Sequence, residues 1–320
     1  MENSIVANGL TKYYDGLLAV DHVSFRVRRG EVFGFLGPNG AGKTTTIRML
    51  VGLTTPSEGT ATVAGYDIRE EIVEVKRRVG VVPETSNLYD ELSVWDNLLF
   101  ISQLYHVPRG ERADRIEELL ETFHLLERRD TKFGRLSKGL KRRVVIATAL
   151  VHQPEIVFMD EPTSGLDVVS ALSLRKLIAG LSRRNITVFL TTHYIEEADQ
   201  LTDRVAIIVN GRIVKVDTPE EIKGAFRGPP VLEARLSMEP NGSMIRELEE
   251  AGKVEVKGHT VKIMTEDVTA ALGSLARLAS RGNMKIERVN TSGPTLEDAF
   301  VRLTGVSPDV MRAEKERGGR

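Results

Sequence analysis

Three short, nearly unbroken apolar runs stand out along the chain: Val32 to Leu36, Ile156 to Met159 and Thr187 to Leu190. Runs of this length, rich in branched and aromatic residues and bounded by polar or turn residues, predict strands buried on both faces of a sheet. Val79 to Val82, stopped by Pro83, predicts another. Between them the apolar spacing turns helical. Val94, Leu98, Ile101 and Leu104-Tyr105 mark one helix, and Ile116, Leu119, Leu120, Phe123 and Leu126 a second, with Pro108-Arg109-Gly110 between them. Ser137 opens a helix that runs to His152, and Leu172, Leu174, Leu177, Ile178 and Leu181 define one over Val168 to Arg184. Strands alternating with helices predict an α/β domain with a mainly parallel core sheet.

Residues 3 to 36 read differently: Ile5 to Ala7, a turn at Asn8-Gly9, Leu18 to Val20, and Val23 to Val27 closed by Arg29-Gly30 predict a small antiparallel layer. Thr60 to Val63 reads as a further strand. Arg204 to Val209 and Arg212 to Val216 flank Asn210-Gly211, a strong hairpin signal. A helix at Pro219 to Phe226 closes the first unit, and Gly228-Pro229-Pro230 marks a boundary. Beyond it, strands at Val231 to Leu236, Val254 to Val256, Thr260 to Met264 and Met284 to Val289 interleave with helices at Met244 to Ala251, Val268 to Arg281 and Leu296 to Leu303. The expected organisation is an α/β domain over residues 1–227, a small α+β domain over 228–306 and a charged, fraying tail over 307–320.

Composition narrows the chemistry. With 41% apolar residues in 320, there is enough for a substantial core, and a net charge of -1 offers no basic field for nucleic acid. The absence of cysteine excludes disulfides, thiol catalysis and cysteine-ligated metal. The longest mainly apolar stretch, Val144 to Val151, is too short to cross a bilayer, and the N-terminus carries no secretory signal, so a membrane role would run through a partner.

The candidate chemistry centres on Gly37-Pro38-Asn39-Gly40-Ala41-Gly42-Lys43-Thr44-Thr45, a glycine-rich loop between a strand and a helix. Glycines let backbone N–H groups converge on phosphate oxygens at a helix N-terminus; Lys43 would reach the β- and γ-phosphates of a nucleotide and the Thr44 hydroxyl would ligate Mg²⁺. Asp160-Glu161 ends an apolar strand, where Asp160 is suited to hold Mg²⁺ through water and Glu161 to polarise an attacking water. Leu136 to Leu140 pairs a serine and a glycine at a helix start, a second phosphate-binding device that one nucleotide could not easily share within one chain. His193 follows a buried strand, and Tyr14 offers a ring for a base. Taken singly, Ser137 is a helix cap, His193 a structural histidine and Tyr14 a packing residue.

Together these stretches resemble the ATP-binding-cassette ATPases over about residues 3–226. The resemblance assigns Tyr14 to base stacking, Gly37 to Thr45 to the phosphate loop, Leu136 to Leu140 to the signature, Ile156 to Glu161 to the second Walker motif, Ser164 to Asp167 to the D-loop and His193 to the switch histidine. It implies ATP and Mg²⁺ as ligands, and a head-to-tail dimer in which Ser137 and Gly139 of one copy cover the nucleotide held by the other's phosphate loop. Two positions depart from the family pattern. Glu84 stands where glutamine is usual, keeping a ligand for the Mg²⁺ site but adding negative charge beside the triphosphate, and Lys138 and Leu140 replace glycine and glutamine in the signature. The second domain resembles the C-terminal extension of drug-resistance and ABC-2 exporter ATPases, with Pro294 to Gly305 as its closing helix. The implied function is the ATP-hydrolysing subunit of an exporter, bound at the cytoplasmic face of the membrane to a separate permease through the region from Thr85 to Asp130. The competing readings are a soluble ABC protein acting on nucleic acid or ribosomes, and an importer ATPase with a regulatory C-terminal domain.

Overall fold

The computed structural model describes residues 2–225, 230–293 and 295–306. Strands β1 (Asn3–Tyr14) and β2 (Leu17–Arg28) form a long hairpin around Asp15-Gly16, whose φ values of 45° and 84° match the left-handed geometry that such a turn requires. The turn expected at Asn8-Gly9 is instead a bulge inside β1: Gly9 has φ 60°, and the register slips between Ala7 and Leu10 while the strand continues. Strand β3 (Val32–Leu36) leads through the glycine-rich loop into α1 (Lys43–Leu50), followed by β4 (Glu58–Val63), β5 (Tyr66–Asp67), α2 (Ile72–Arg78) and β6 (Val79–Val82). Next come α3 (Val94–Leu104), α4 (Arg112–Thr122), α5 (Lys138–Leu150), β7 (Ile156–Asp160), α6 (Val168–Arg183), β8 (Thr187–Thr192) and α7 (Ile195–Leu201). The hairpin β9 (Arg204–Val209) and β10 (Arg212–Asp217) turns at Asn210-Gly211 as expected, and α8 (Pro219–Ala225) follows.

The central sheet has the order β10-β9-β3-β8-β7-β6, parallel except for β10, and a separate antiparallel sheet has the order β2-β1-β4-β5. The apolar runs are explained by their two covered faces. Phe33, Phe35 and Phe189 meet Phe25 of the antiparallel layer, and Phe158 meets Phe189, with ring centroids 5.4 to 5.8 Å apart. Val157, Met159, Val188 and Leu190 alternate to the other side and join the core built with α3 to α6. Each such side chain contributes about 1.5–3 kcal/mol on burial, so the sheet is the rigid floor on which the site stands.

The chain divides into compact units at Pro219/Glu220, at the first residues of α8, whereas the sequence reading closes the first unit at residue 227. The Gly228-Pro229 part of the expected boundary, Pro294 and the tail from residue 307 lie outside the described residues. The second unit holds β11 (Val231–Leu236), α9 (Gly242–Glu249), β12 (Lys253–Lys257), β13 (Thr260–Met264), α10 (Val268–Arg281), β14 (Ile286–Ser292) and α11 (Leu296–Thr304). Its sheet is antiparallel with the order β12-β13-β11-β14, the split β-α-β arrangement, and α10 lays Ala271, Leu275, Leu278 and Ala279 onto Leu232, Ala234, Val261 and Ile263. Among the described residues no helix is long and apolar enough to cross a membrane.

Candidate active site

Parallel pairing aligns the carboxyl ends of the central strands: Leu36 pairs with Thr192, Asp160 with Thr191 and Val82 with Met159. Whatever follows each strand therefore lands on one edge, where ligands bind in open α/β sheets. The glycine-rich loop, Asp160-Glu161, His193 and Glu84 come together there around a cleft of about 800 Å³. Tyr14, Asn39, Gly40, Gly42, Lys43, Thr44, Thr45, Glu84, Glu161 and His193 line it, along with Lys138 of the signature stretch, Ser164 and Gly165 of the D-loop stretch, and Ala19 and Tyr194, which the sequence reading did not assign. Gly37, Pro38 and Ala41 form the body of the loop behind this wall, and Asp160 lies beneath it, nearly buried.

Two glycines of the loop are required by space. A Cβ at Gly37 would meet the Ile208 carbonyl oxygen at 2.2 Å, and one at Gly42, whose φ is 99°, would meet the Ala19 carbonyl oxygen at 2.6 Å. Gly37 N–H bonds to Thr192 O, Ala41 N–H to Pro38 O and Thr46 N–H to Gly42 O. The N–H groups of Gly40, Gly42, Lys43 and Thr44 find no protein acceptor among the described residues. Unsatisfied donors around a helix N-terminus form a cradle for anionic oxygens, which fits a nucleotide's phosphates.

Lys43 is buried in this cradle, its Nζ donating to Gly37 O at 2.9 Å and Pro38 O at 3.1 Å and standing 3.3 Å from Glu161 Oε1. Burial pushes its ammonium below the usual lysine range, against the pull of Glu161, Asp160 and Glu84. Burial pushes the Glu161 carboxyl upward, but the His193 ring and Lys43 outweigh it and hold the group below its ordinary range. His193 Nδ1 stands 2.7 Å from Glu161 Oε2, out of line for a hydrogen bond. The Glu161 backbone has φ 45°, a left-handed conformation costing about 1–3 kcal/mol for a residue with a Cβ. Thr191 helps to hold it: its Oγ1 accepts from Glu161 N–H at 3.1 Å and donates to Asp160 Oδ1 at 2.5 Å.

Glu84 lines the same cleft as Thr44. Its carboxyl is pushed up by burial and by Glu161 and Asp160, and its side chain has no ion pair among the described residues. Glu84, Asp160 and the Thr44 hydroxyl offer hard oxygen donors of the kind Mg²⁺ takes beside a nucleotide's phosphates; Lys43 and Arg142 offset part of the carboxylates' charge, and among the described residues no group of three or more carboxylate or histidine side chains is placed to hold a metal ion by itself.

The signature residues are placed as helix-start residues. Ser137 caps α5, its Oγ accepting from Leu140 N–H at 3.4 Å, and Gly139 packs against Ser170, where a Cβ would meet Oγ at 2.7 Å. Neither lines the chain's own cleft. Asp167 caps α6 through Ser170 N–H at 2.9 Å. Tyr14 is half-exposed at the end of β1, with Lys12 Nζ 5.1 Å from its ring centroid. Sequence reasoning missed buried Glu197, which accepts from Thr163 Oγ1 at 2.8 Å and Thr192 Oγ1 at 2.5 Å and so ties the turn after Glu161 to the strand end before His193. Burial raises its carboxyl, opposed by the two hydroxyls. It also missed buried Arg142. No one-dimensional signal marks either residue, because each acts on segments remote in sequence.

A phosphate cradle at the carboxyl edge of a parallel sheet, with a lysine, paired carboxylates and a histidine converging on it, defines a P-loop nucleoside triphosphatase. Residues 20–164 match the family described as ABC transporter. The linearmycin resistance ATP-binding protein LnrL of Bacillus subtilis (strain 168) is 35% identical over 306 residues, covering 93% of this chain and 97% of that protein. A Nod factor export ATP-binding protein I of Burkholderia thailandensis is 37% identical, over 92% of this chain and 94% of its own length. Among solved structures, a dimeric ATP-binding cassette in a post-hydrolysis state, bound to ADP and Pi, superposes with a TM-score of 0.61 at 27% identity, covering 67% of this chain and 98% of that one. The chain belongs to the ABC transporter family, as an ATP-binding subunit with ATPase activity.

Proposed function

We propose that this chain drives export through a separate membrane permease, working as a dimer at the cytoplasmic face of the membrane. The observation that carries the hydrolytic assignment is the convergence of Lys43, Glu161 and His193 within ion-pair distances at the phosphate cradle. Export is supported by similarity along nearly the whole chain to a protein named for Nod factor export and another named for linearmycin resistance.

In this reading Tyr14 stacks on the base and the N–H groups of Gly40, Gly42, Lys43 and Thr44 receive the phosphates. Lys43 exchanges its bonds to Gly37 and Pro38 for oxygens of the β- and γ-phosphates. Glu161, kept ionised, accepts the proton of the attacking water as the bond between the β,γ-bridging oxygen and the γ-phosphorus breaks, and His193 holds the γ-phosphate oxygens. Thr44, Asp160 and Glu84 would hold Mg²⁺, which when bound offsets charge developing on the phosphate oxygens. Ser137 and Gly139 act on the nucleotide of the second copy. Transport strokes pass through the region from Thr85 to Asp130, and no nucleic acid partner is expected.

Lys43→Ala and Glu161→Gln are each expected to lower ATP turnover by about 10²–10⁴-fold. Unchanged hydrolysis in both would remove the catalytic assignment. Recovery of the chain from membranes with a multi-helix protein is the expected partner result; stimulation of hydrolysis by DNA or ribosomes, with no membrane partner, would overturn the transport reading.

A further inference from the structure

Strands β6 and β7 are hydrogen-bonded neighbours up to Val82 and Met159, and there the ladder ends. Pro83 has no N–H with which to continue it, and Glu161 turns away in a left-handed conformation. Five carbonyls lie just beyond the ladder, from two segments far apart in sequence: those of Asp160, Glu161 and Pro162 in a buried segment, and those of Pro83 and Glu84 at its rim.

Arg142 of α5 donates to all five, and only Glu161 O has a further donor among the described residues, the Ser164 N–H at 3.1 Å. The Arg142 Nε donates to Pro162 O at 2.8 Å, Nη1 to Pro83 O and to Glu84 O at 3.1 Å, and Nη2 to Asp160 O at 2.8 Å and Glu161 O at 3.0 Å. A guanidinium has five N–H bonds, and here each one has a main-chain acceptor. The side chain is 8% exposed, and its charge lies beneath Asp160, Glu84, Glu197 and Glu161. A buried cation is tolerated only where donors and countercharges are both satisfied, and this one meets both conditions.

We propose that Arg142 is a positioning residue that fastens the Pro83-Glu84 segment to the strand end carrying Glu161, so that the two carboxylates move as one body. The segment after Glu84 leads into α3, on the side of the molecule expected to meet a membrane partner. A displacement there is then transmitted to Glu161 through a rigid fork rather than through side-chain packing. The inference rests on Glu161 being the base of the proposed function. Lysine in place of arginine keeps the charge but has three donors on a single nitrogen and cannot span both segments.

The test uses the full chain. Arg142→Lys and Arg142→Gln are both expected to lower kcat for ATP hydrolysis about 10²-fold while KM for ATP stays within about threefold, because a small misplacement of the base costs turnover and not binding. Charge without the fork gives no rescue. Glu161→Gln runs alongside as the control. An active Glu161→Gln removes the base assignment whatever Arg142 does; an inactive Glu161→Gln beside an unimpaired Arg142→Lys overturns this inference alone. A second measurement leaves Arg142 intact, and so decides the question even if its variants do not fold. The chain has no cysteine, so Ser86→Cys and Val168→Cys give a unique pair of spin-label sites, one just after each fastened segment. The distance distribution between them is expected to be the same without nucleotide and with Mg-ATP. A shifted distribution would show the segments moving apart and overturn the proposal.

Discussion

The two compact units treat charge in opposite ways. In the first, Lys43, Arg142, Asp160, Glu161, His193 and Glu197 are buried at one edge of a parallel sheet whose faces are both covered. In the second, Thr265 is the buried polar residue among those described, and charges sit in outward pairs such as Lys262 with Glu233 at 3.0 Å and Arg235 with Glu287 at 3.3 Å. A buried charge costs several kcal/mol unless it is paired and hydrogen-bonded. The first unit gathers most of that cost where chemistry needs pre-set charges; its other buried carboxylates, Asp21 and Glu31, are paired with Arg212 and Arg204. The second avoids it, which is how a sheet held by packing alone is built.

Four substitutions break or sharpen the contrast, in falling order of effect. Phe189→Ala removes the ring shared by most of the aromatic contacts under the central sheet and is expected to cost about 3–5 kcal/mol, read as a lower denaturation midpoint of Trp95 fluorescence. Trp95 is the one tryptophan of the chain and lies in α3, so its emission reports the first unit. Leu275→Ala is expected to cost about 2–5 kcal/mol in the second unit, seen by circular dichroism, with the Trp95 midpoint and ATP turnover unchanged. An equal shift at Trp95 would mean that the two units unfold together.

The third is a pH effect. His152 stacks on Tyr105 at 3.8 Å, its Nε2 lies 3.1 Å from Val79 O, and burial lowers its pKa from 6.5 to about 4. The unfolded chain therefore binds this proton first as pH falls, so stability is lost between about pH 6.5 and 4, by up to ~3 kcal/mol. In His152→Phe that portion of the acid sensitivity should vanish, measured as denaturation midpoint against pH. The smallest effect is Thr295→Ala, which removes the capping box of α11 for about 1 kcal/mol and should be visible only in the second unit's transition.

The sequence is most legible where local rules and tertiary context agree. The loop from Gly37 to Thr45, the apolar strands ending in Asp160-Glu161 and before His193, and the Asn210-Gly211 hairpin all appear where their residue types demand them. Asn8-Gly9 carries the same dipeptide as that hairpin, yet its strand pairs on both sides, with β2 and β4, and the glycine is absorbed as a bulge. Helices α2 and α7 escape the periodicity reading because seven residues hold barely two turns of pattern. Lys138, Ser164, Gly165 and Tyr194 reach the cleft wall only through the way α5 and the turns after β7 and β8 are folded back. Arg142 looks like one more cation in Lys141-Arg142-Arg143 until residues 83–84 and 160–162 are brought to it.

The place of β3 in its sheet has a consequence for synthesis. The strand that carries the phosphate loop is made early, but its neighbours on either side are Thr187–Thr192 and Arg204–Val209. Closing a loop of roughly 150 residues precedes any pairing that could hold the strand flat, so this part of the fold has high contact order and forms slowly. On the ribosome, Lys43 has no finished cradle until residue 209 has emerged. A nascent chain arrested before that point should retain no ATP, and one arrested just beyond it should be the shortest that can.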